Sequence, residues 1–367
     1  MVLLLLLVFS HLFHPADGFC AAPDDLAPDS AIADKKPSGF LFIPFPIYTP
    51  ETKAALILST LYHFREDGMR HPATLMMFMA YSQLNQFRVG GAAQSYFADG
   101  RIHASASAGG AKWPDKFFGI GTDNAKSDEE DYTFKSVDFR VALQYRIRQH
   151  FKAGLSAESR KFDISEMEAG GMLDTEGIPG VEGGRAFGAG PIATWDSRDD
   201  SFFPRRGVYG QVSAAFFLDR PGDYAFQRYR ADLRQYIPLG DNGVIAVQEY
   251  VNILRGDIPF NHYSRIGDML GFSLLRGYYS GLFRERDVAA VQVEYRTAVW
   301  KNLGAAVFGG VGVIGPDLPR FRDLAVKPAG GVGLRYRIGG DETINLRLDF
   351  AIGKDSSGIY FNILESF

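Results

Sequence analysis

The sequence holds a single cysteine, Cys20, among its 367 residues. That excludes a disulfide framework and any zinc or iron–sulfur site built on several thiolates. Beyond its first residues the chain has no run near the roughly 18 consecutive apolar residues that a membrane-spanning helix needs. A polytopic helical membrane protein is therefore excluded, whereas a barrel, whose lipid face is spread over alternate residues, is not. Basic excess is also missing: the formal net charge is −4, which points away from a nucleic-acid partner. The histidines (His11, His14, His63, His71, His103, His150, His262) are scattered, with no HExxH and no paired metal-ligand spacing. No G-x-S-x-G elbow is present either, so a hydrolase triad has no obvious seat. Gly310, Gly312 and Gly315 match G-x-G-x-x-G, but Pro316 and Pro319 follow where a dinucleotide site needs a helix. They read as a glycine-rich strand running into a turn, and the acidic run at 128–131 reads as solvated loop charge. Neither an enzyme, nor a cofactor, nor a metal site is expected.

What is present is glycine (41), phenylalanine (30) and tyrosine (17), with 46% hydrophobic and 22% charged residues. That balance belongs to a folded chain. Residues 1–20 form an apolar run followed by small residues and read as a signal peptide, cleaved after Gly18 or after Cys20. Lipidation of Cys20 is disfavoured because Phe19 is bulky for the position before a lipidated cysteine. Residues 21–39 are polar and rich in Pro and Asp, a disordered lead-in to a barrel over 40–367.

From residue 52 onward, segments of about ten alternating residues are separated by turn clusters. In 287–300, Val291, Val293, Tyr295 and Val299 point one way, and Ala290, Gln292, Glu294 and Arg296 the other. In 343–351, Ile344, Leu346, Leu348 and Phe350 oppose Asn345, Arg347 and Asp349; in 224–236, Arg228, Arg230, Asp232 and Arg234 share a face. Period 2 gives one apolar and one polar face. Dense charge on the polar faces, with Tyr62, Phe64, Trp195 and Trp300 near strand ends, suits a wet lumen inside a lipid-facing wall with aromatic girdles. The fold class is all-β, a transmembrane antiparallel barrel of about sixteen strands. The segments counted run from 53–64 to 358–366 and include 259–267. Connections 121–131 and 164–184 fit outer loops, and 199–204 and 341–342 fit short periplasmic turns.

Two motifs stand out. Residues 195–207 read WDSRDDSFFPRRG, an Asp/Arg-rich turn closed by Pro and Gly, with charges placed to pair across it. Residues 275–278 read LRGY, in a glycine-rich stretch, and a lumenal arginine there is costly unless it meets a carboxylate.

With these residues the chain resembles the BamA/TamA-like outer-membrane family, the bacterial surface antigen superfamily. Its mid-barrel turn, D-x-R-D…FP-x-x-G, is matched by Asp196, Arg198, Asp199, Phe203, Pro204 and Gly207. Its loop motif folded back into the lumen is matched by Leu275, Arg276, Gly277 and Tyr278. The resemblance implies that Glu294, in VQVEYR, pairs with Arg276. The opening FPIYTPET (45–52) and the closing NLRLDFAIGKDSSGIYFN (345–362) also look like this family, so the resemblance spans about 40–367. One departure is Gly310, standing where the family usually has an aspartate as a second partner for the loop arginine; Asp349 is the candidate substitute. A second is the absence, ahead of the barrel, of the POTRA domains of members that handle client proteins. Phe367, closing the chain after Ile359, Phe361 and Ile363 on one face, looks like the terminal aromatic by which such barrels are recognised for assembly.

These features imply a bacterial outer-membrane protein, surrounded by outer-membrane lipid and inserted by barrel-assembly machinery. The expected role is membrane insertion or translocation of protein or lipid, acting on an unidentified client or with a periplasmic partner. It would work through weak pairing of the first and last strands, 52–64 and 358–367. The alternatives are a passive or structural pore plugged by the Arg276 loop, and an anchor for a separately encoded periplasmic module.

Overall fold

The computed structural model describes residues 38–64, 73–98, 100–200, 203–218, 223–269, 272–317, 325–338, 344–363 and 365–367. The expected signal peptide, residues 21–37 of the lead-in and the turn at 341–342 lie outside these residues. In chain order the strands are β1 (Ser38–Thr49), β2 (Lys53–Phe64), β3 (Ala73–Ser82), β4 (Phe87–Phe97), β5 (Ile102–Phe117) and β6 (Glu130–Arg148). There follow β7 (Phe151–Met167), β8 (Gly184–Asp196), β9 (Gly207–Phe217), β10 (Phe226–Leu239) and β11 (Gly243–Gly256). The loop 257–286 holds four short pieces: β12 (Ser264–Arg265), β13 (Gly267–Met269), β14 (Phe272–Leu274) and β15 (Arg284–Glu285). The wall resumes with β16 (Asp287–Trp300), β17 (Leu303–Gly315), β18 (Lys327–Ile338), β19 (Ile344–Gly353) and β20 (Ser356–Ile363).

Sixteen of these strands, all but β12–β15, pair antiparallel with their neighbours and close into a barrel. Alternation explains the wall. On β16, Val291 and Val293 are exposed while Gln292, Glu294 and Arg296 are buried; on β19, Leu348 and Phe350 are exposed while Asn345, Arg347 and Asp349 are buried. In water so much exposed apolar surface would be a liability; in lipid it is the outer face. Long connections, 118–129, 168–183 and 257–286, share one end of the barrel, the loop end, as expected for 121–131 and 164–184. Two- and three-residue connections such as 149–150, 240–242 and 301–302 lie at the other, the turn end, where β1 begins and β20 finishes. Tyr62, Phe64, Trp195 and Trp300 are all exposed, and all lie on strand ends at the turn end, joined there by Phe97 and Tyr336. That is one aromatic girdle.

The total of sixteen is as expected, but the strands are not the same sixteen. Residues 259–267 are not a wall strand: Phe260–His262 is a single 3-10 turn, and the rest belongs to the loop. The missed strand is β1, which pairs with β2 along its whole length, from Ser38↔Phe64 to Thr49↔Lys53. Its sequence, SGFLFIPFPIYT, hides the strand because Pro44 and Pro46 interrupt it. Prolines two apart turn their nitrogens toward the same edge of a strand. Only an edge with little ladder to lose tolerates that, and here it is the edge toward β20. The first strand of the barrel is therefore 38–49 rather than 52–64.

Candidate functional site

Two arrangements carry chemistry: a charge lock inside the lumen and the seam between β1 and β20. The lock begins with LRGY. Leu275, Arg276 and Tyr278 are at most 2% exposed. The two terminal nitrogens of Arg276 divide between Glu294 on β16 and Asp349 on β19, and its guanidinium lies 3.6 Å from the centroid of the Phe308 ring on β17. Both expected partners are thus in place. Charge-assisted bonds plus ring stacking suit the planar guanidinium better than they would an ammonium.

The lock is larger than the motif. Glu294 also accepts from Arg296 and from Arg335, each at 2.9 Å. Asp349 accepts from Arg335 at 2.6 Å and lies 3.4 Å from Arg347. Glu365, beyond β20, accepts from Arg335 at 2.9 Å and from Asn345 at 2.7 Å, with Arg296 at 3.5 Å. Four arginines therefore face three carboxylates in a buried cluster. Arg335 and Glu365 were not singled out from the sequence. The signal that finds Arg335 is its place on the inward face of β18, opposite Arg347 in the β18–β19 register.

The neighbours of Arg276 fix the loop in the wall. Gly277 has φ +115, and a Cβ there would stand 2.6 Å from the carbonyl carbon of Ile352. Only glycine fits both the left-handed backbone and the close approach. Gly277 N–H donates to the Tyr360 hydroxyl at 3.1 Å, and the Tyr278 hydroxyl donates to the Pro328 carbonyl at 2.7 Å while accepting from Lys354 N–H at 3.0 Å. Burial pushes the Tyr278 hydroxyl above its ordinary pKa, against the Lys354 N–H, so it stays a neutral donor. Leu275 explains Gly310: a Cβ at Gly310 or Gly312 would meet the Leu275 side chain at 2.8 or 2.7 Å. The expected aspartate position is thus floor space for Leu275, and Asp349 supplies the second carboxylate from another strand. The loop is also tied to the β1–β2 turn, where Ser280 N–H donates to Glu51 at 3.0 Å.

The mid-barrel turn lies at the turn end, where Phe203 and Arg205 line a 180 Å³ cavity together with Arg296 and Arg335 of the lock. Asp196 takes a two-pronged bond from Arg198, Nε and Nη2 each at 2.9 Å, and Arg198 stacks 4.7 Å from the centroid of Tyr209. Asp199 accepts from the N–H groups of Arg205 and Arg206, at 2.9 and 3.2 Å, and Phe203 N–H donates to Asp200. Pro204 is buried, and Gly207 has φ +103. These bonds brace the described residues of the connection between β8 and β9.

Phe367 differs in position from the sequence expectation. It does not lie on the lipid face with Ile359. Residues 365–367 turn into the lumen, where Phe367 is 5% exposed and packs against Tyr236, Val244 and Ala246. Its main-chain oxygen accepts from Arg296 at 2.8 Å, and its ring lies 5.6 Å from the Arg296 guanidinium. Inside the lumen Glu365 meets Arg335, Arg296 and Asn345, partners that the lipid face would not offer its charge. Phe367→Ala is expected to lower the stability of the folded barrel by about 3–5 kcal/mol, the usual cost of emptying a buried phenylalanine site. Urea unfolding in detergent checks this; an unchanged midpoint would show that the ring carries no packing energy in the lumen.

The inward turn decides the seam. Among the described residues β1 and β20 share one pair, Tyr48↔Phe361, whereas β19 and β20 pair from Leu346↔Ile363 to Gly353↔Ser356. An antiparallel register through Tyr48↔Phe361 would bring Glu365 opposite Pro44, but Glu365 is inside the lumen with Arg335. The edge of β1 toward the turn end therefore has no strand beside it among the described residues. Such an edge, without a neighbouring strand, offers its main-chain groups to another strand.

Solved structures with the same architecture include BamA from Haemophilus ducreyi lacking POTRA domains 1–3, with a TM-score of 0.61 at 12% identity over 90% of this chain and 70% of that one. CdiB from Acinetobacter baumannii has a TM-score of 0.59 at 12% identity, and CdiB from Escherichia coli 0.59 at 10%; each match covers 90% of this chain. The chain spans 60% and 63% of those two CdiB chains, less than two thirds of their length. A sequence search of curated proteins finds no match. Residues 91–367 match the Omp85 superfamily domain, from β4 to the last residue described. Barrel, lumenal loop and match agree, and the chain belongs to the Omp85 superfamily.

Proposed function

We propose that this barrel is a non-enzymatic outer-membrane protein that inserts or translocates protein across the membrane at its seam. The observation that carries the reading is the single pair joining β1 to β20 among the described residues. An exposed strand edge in lipid is a template for another strand, since every main-chain group there gains a partner when one is added. A β-hairpin of a client could pair with β1 without first breaking a full ladder. The likeness to BamA and CdiB supports a role in insertion or translocation, and outer-membrane lipid and barrel-assembly machinery are its expected surroundings.

Locking the seam tests this. Tyr48→Cys and Phe361→Cys face one another across it. In a host whose deletion phenotype is known, the reduced double variant should complement and the oxidised one should not. Complementation by the oxidised form would remove the seam from the mechanism. A second reading, a plugged pore, is favoured by the way loop 257–286 and residues 365–367 occupy the lumen from opposite ends. Ion conductance that rises when the loop is released, with complementation intact in the locked form, would favour that pore.

A further inference from the structure

The lumen wall away from the lock carries a second concentration of charge, closed on one side by the 261–265 part of the loop. A cavity of 420 Å³ is bounded by Arg88 on β4, Arg140 on β6, Arg160 on β7, Arg228 and Arg230 on β10, and Arg265 on the loop. The carboxylates lining it are Asp138 and Glu158. Glu158 serves Arg140, its cross-strand neighbour, at 3.2 Å, and also Arg228. Asp138 serves Arg160, and Arg265 has Asp115 at 3.7 Å, just outside the cavity lining. Arg88 and Arg230 have no carboxylate within ion-pair distance among the described residues. The Nε of Arg230 is buried without a hydrogen-bond partner. His262, which also lines the cavity, is held well below its ordinary pKa by burial and adds no charge that could be offset.

The space has its own sequence origin. Arg88 and then Gly90 and Ala92 occupy alternate positions of β4, and Ser107 and Gly109 alternate on β5, so small side chains leave space there beside the ring of Phe78 on β3. The room has six cations around it and two anions. A low-dielectric wall focuses that field into the cavity. Arginine forks match phosphate oxygens two at a time.

We propose that this chamber is a binding site for a multiply charged phosphate-bearing anion, held chiefly by Arg88 and Arg230 with Arg140 and Arg228 behind them. The occupant is either a soluble phosphate compound entering through the lumen or a phosphorylated lipid headgroup admitted at the seam. The chemistry of recognition is the same for both. This goes beyond the seam mechanism and stands without it.

The test uses the barrel in phosphatidylcholine nanodiscs, titrated calorimetrically with inorganic pyrophosphate at ionic strength held constant with potassium chloride. Saturable binding above the chloride background is expected. Arg88→Gln with Arg230→Gln should weaken it at least about tenfold, since each removes a charged hydrogen-bond donor. Lys301→Gln, in the 301–302 turn, should leave it unchanged. Retention of heat-modifiability on gels confirms that a variant barrel is closed; should the double variant not refold, Arg230→Gln alone, which breaks no ion pair, gives the reading. No binding above chloride, or undiminished binding in the closed variants, overturns the proposal. A parallel titration in nanodiscs containing phosphatidic acid identifies the source: loss of pyrophosphate binding there supports the site with a headgroup as occupant, and unchanged binding supports it with a soluble anion.

Discussion

Glu294→Ala is expected to destabilise the lumenal loop by about 3–5 kcal/mol, more than Arg276→Ala at about 1–3 kcal/mol. The difference comes from counting charge. In the intact lock four arginines face three carboxylates. Removing Arg276 leaves both of its carboxylates paired, because Glu294 keeps Arg296 and Arg335, and Asp349 keeps Arg335 and Arg347. Removing Glu294 leaves Arg276, Arg296, Arg335 and Arg347 to share Asp349 and Glu365, in a site where Glu294 itself is 0% exposed. Buried charge without a counter-charge is the costly case. The double variant follows from the same count: with Glu294 absent, Arg276 is surplus, so removing it should cost nothing further and restore part of the loss. Protease cleavage within 257–286, and the temperature at which the unheated gel form is lost, measure the effect. Simple additivity of the two changes would show that Arg276 and Glu294 do not share one charge balance.

Gly277→Val should release the loop by a different route. The residue would have to hold φ +115 and place a Cβ 2.6 Å from the carbonyl carbon of Ile352, which is main chain of β19 and cannot swing aside. Backbone strain and overpacking together are expected to cost about 3 kcal/mol or more. Tyr278 would then leave Pro328 and Lys354, and the lumen would open from the loop end. Faster proteolysis of 257–286 and a rise in ion conductance across planar bilayers are the expected results. Gly170→Val is the matched control: it too has positive φ, +79, but its Cβ would meet nothing within 4 Å. Equal effects at the two positions would mean that backbone strain alone, rather than the contact with β19, holds the loop.

Much of the wall was legible because side-chain direction in a strand is local. Val291, Gln292, Val293 and Glu294 alternate whatever the rest of the chain does, and from such runs the lipid face, the lumen face and the closed antiparallel barrel follow. The Arg276–Glu294 pair was read from the resemblance, and Asp349 from its face. β1 was not legible, because Pro44 and Pro46 argue against a strand unless one edge has no full ladder, and that condition exists only after closure.

The sequence by itself determined the class of fold, the two faces of most strands and the identity of the lumenal arginine. Tertiary structure decided the rest, for reasons of distance along the chain. Arg276 meets Glu294 across 18 residues and Asp349 across 73, so their meeting depends on how loop 257–286 folds back. Leu275 claims the space at Gly310 and Gly312, which turns an apparently missing aspartate into a packing contact. Glu365 was available to extend β20, yet its charge is better neutralised by Arg335 in the lumen than exposed beside β1 in lipid. Local alternation cannot weigh those two environments; only the closed barrel, with its charged interior and apolar exterior, sets them against each other.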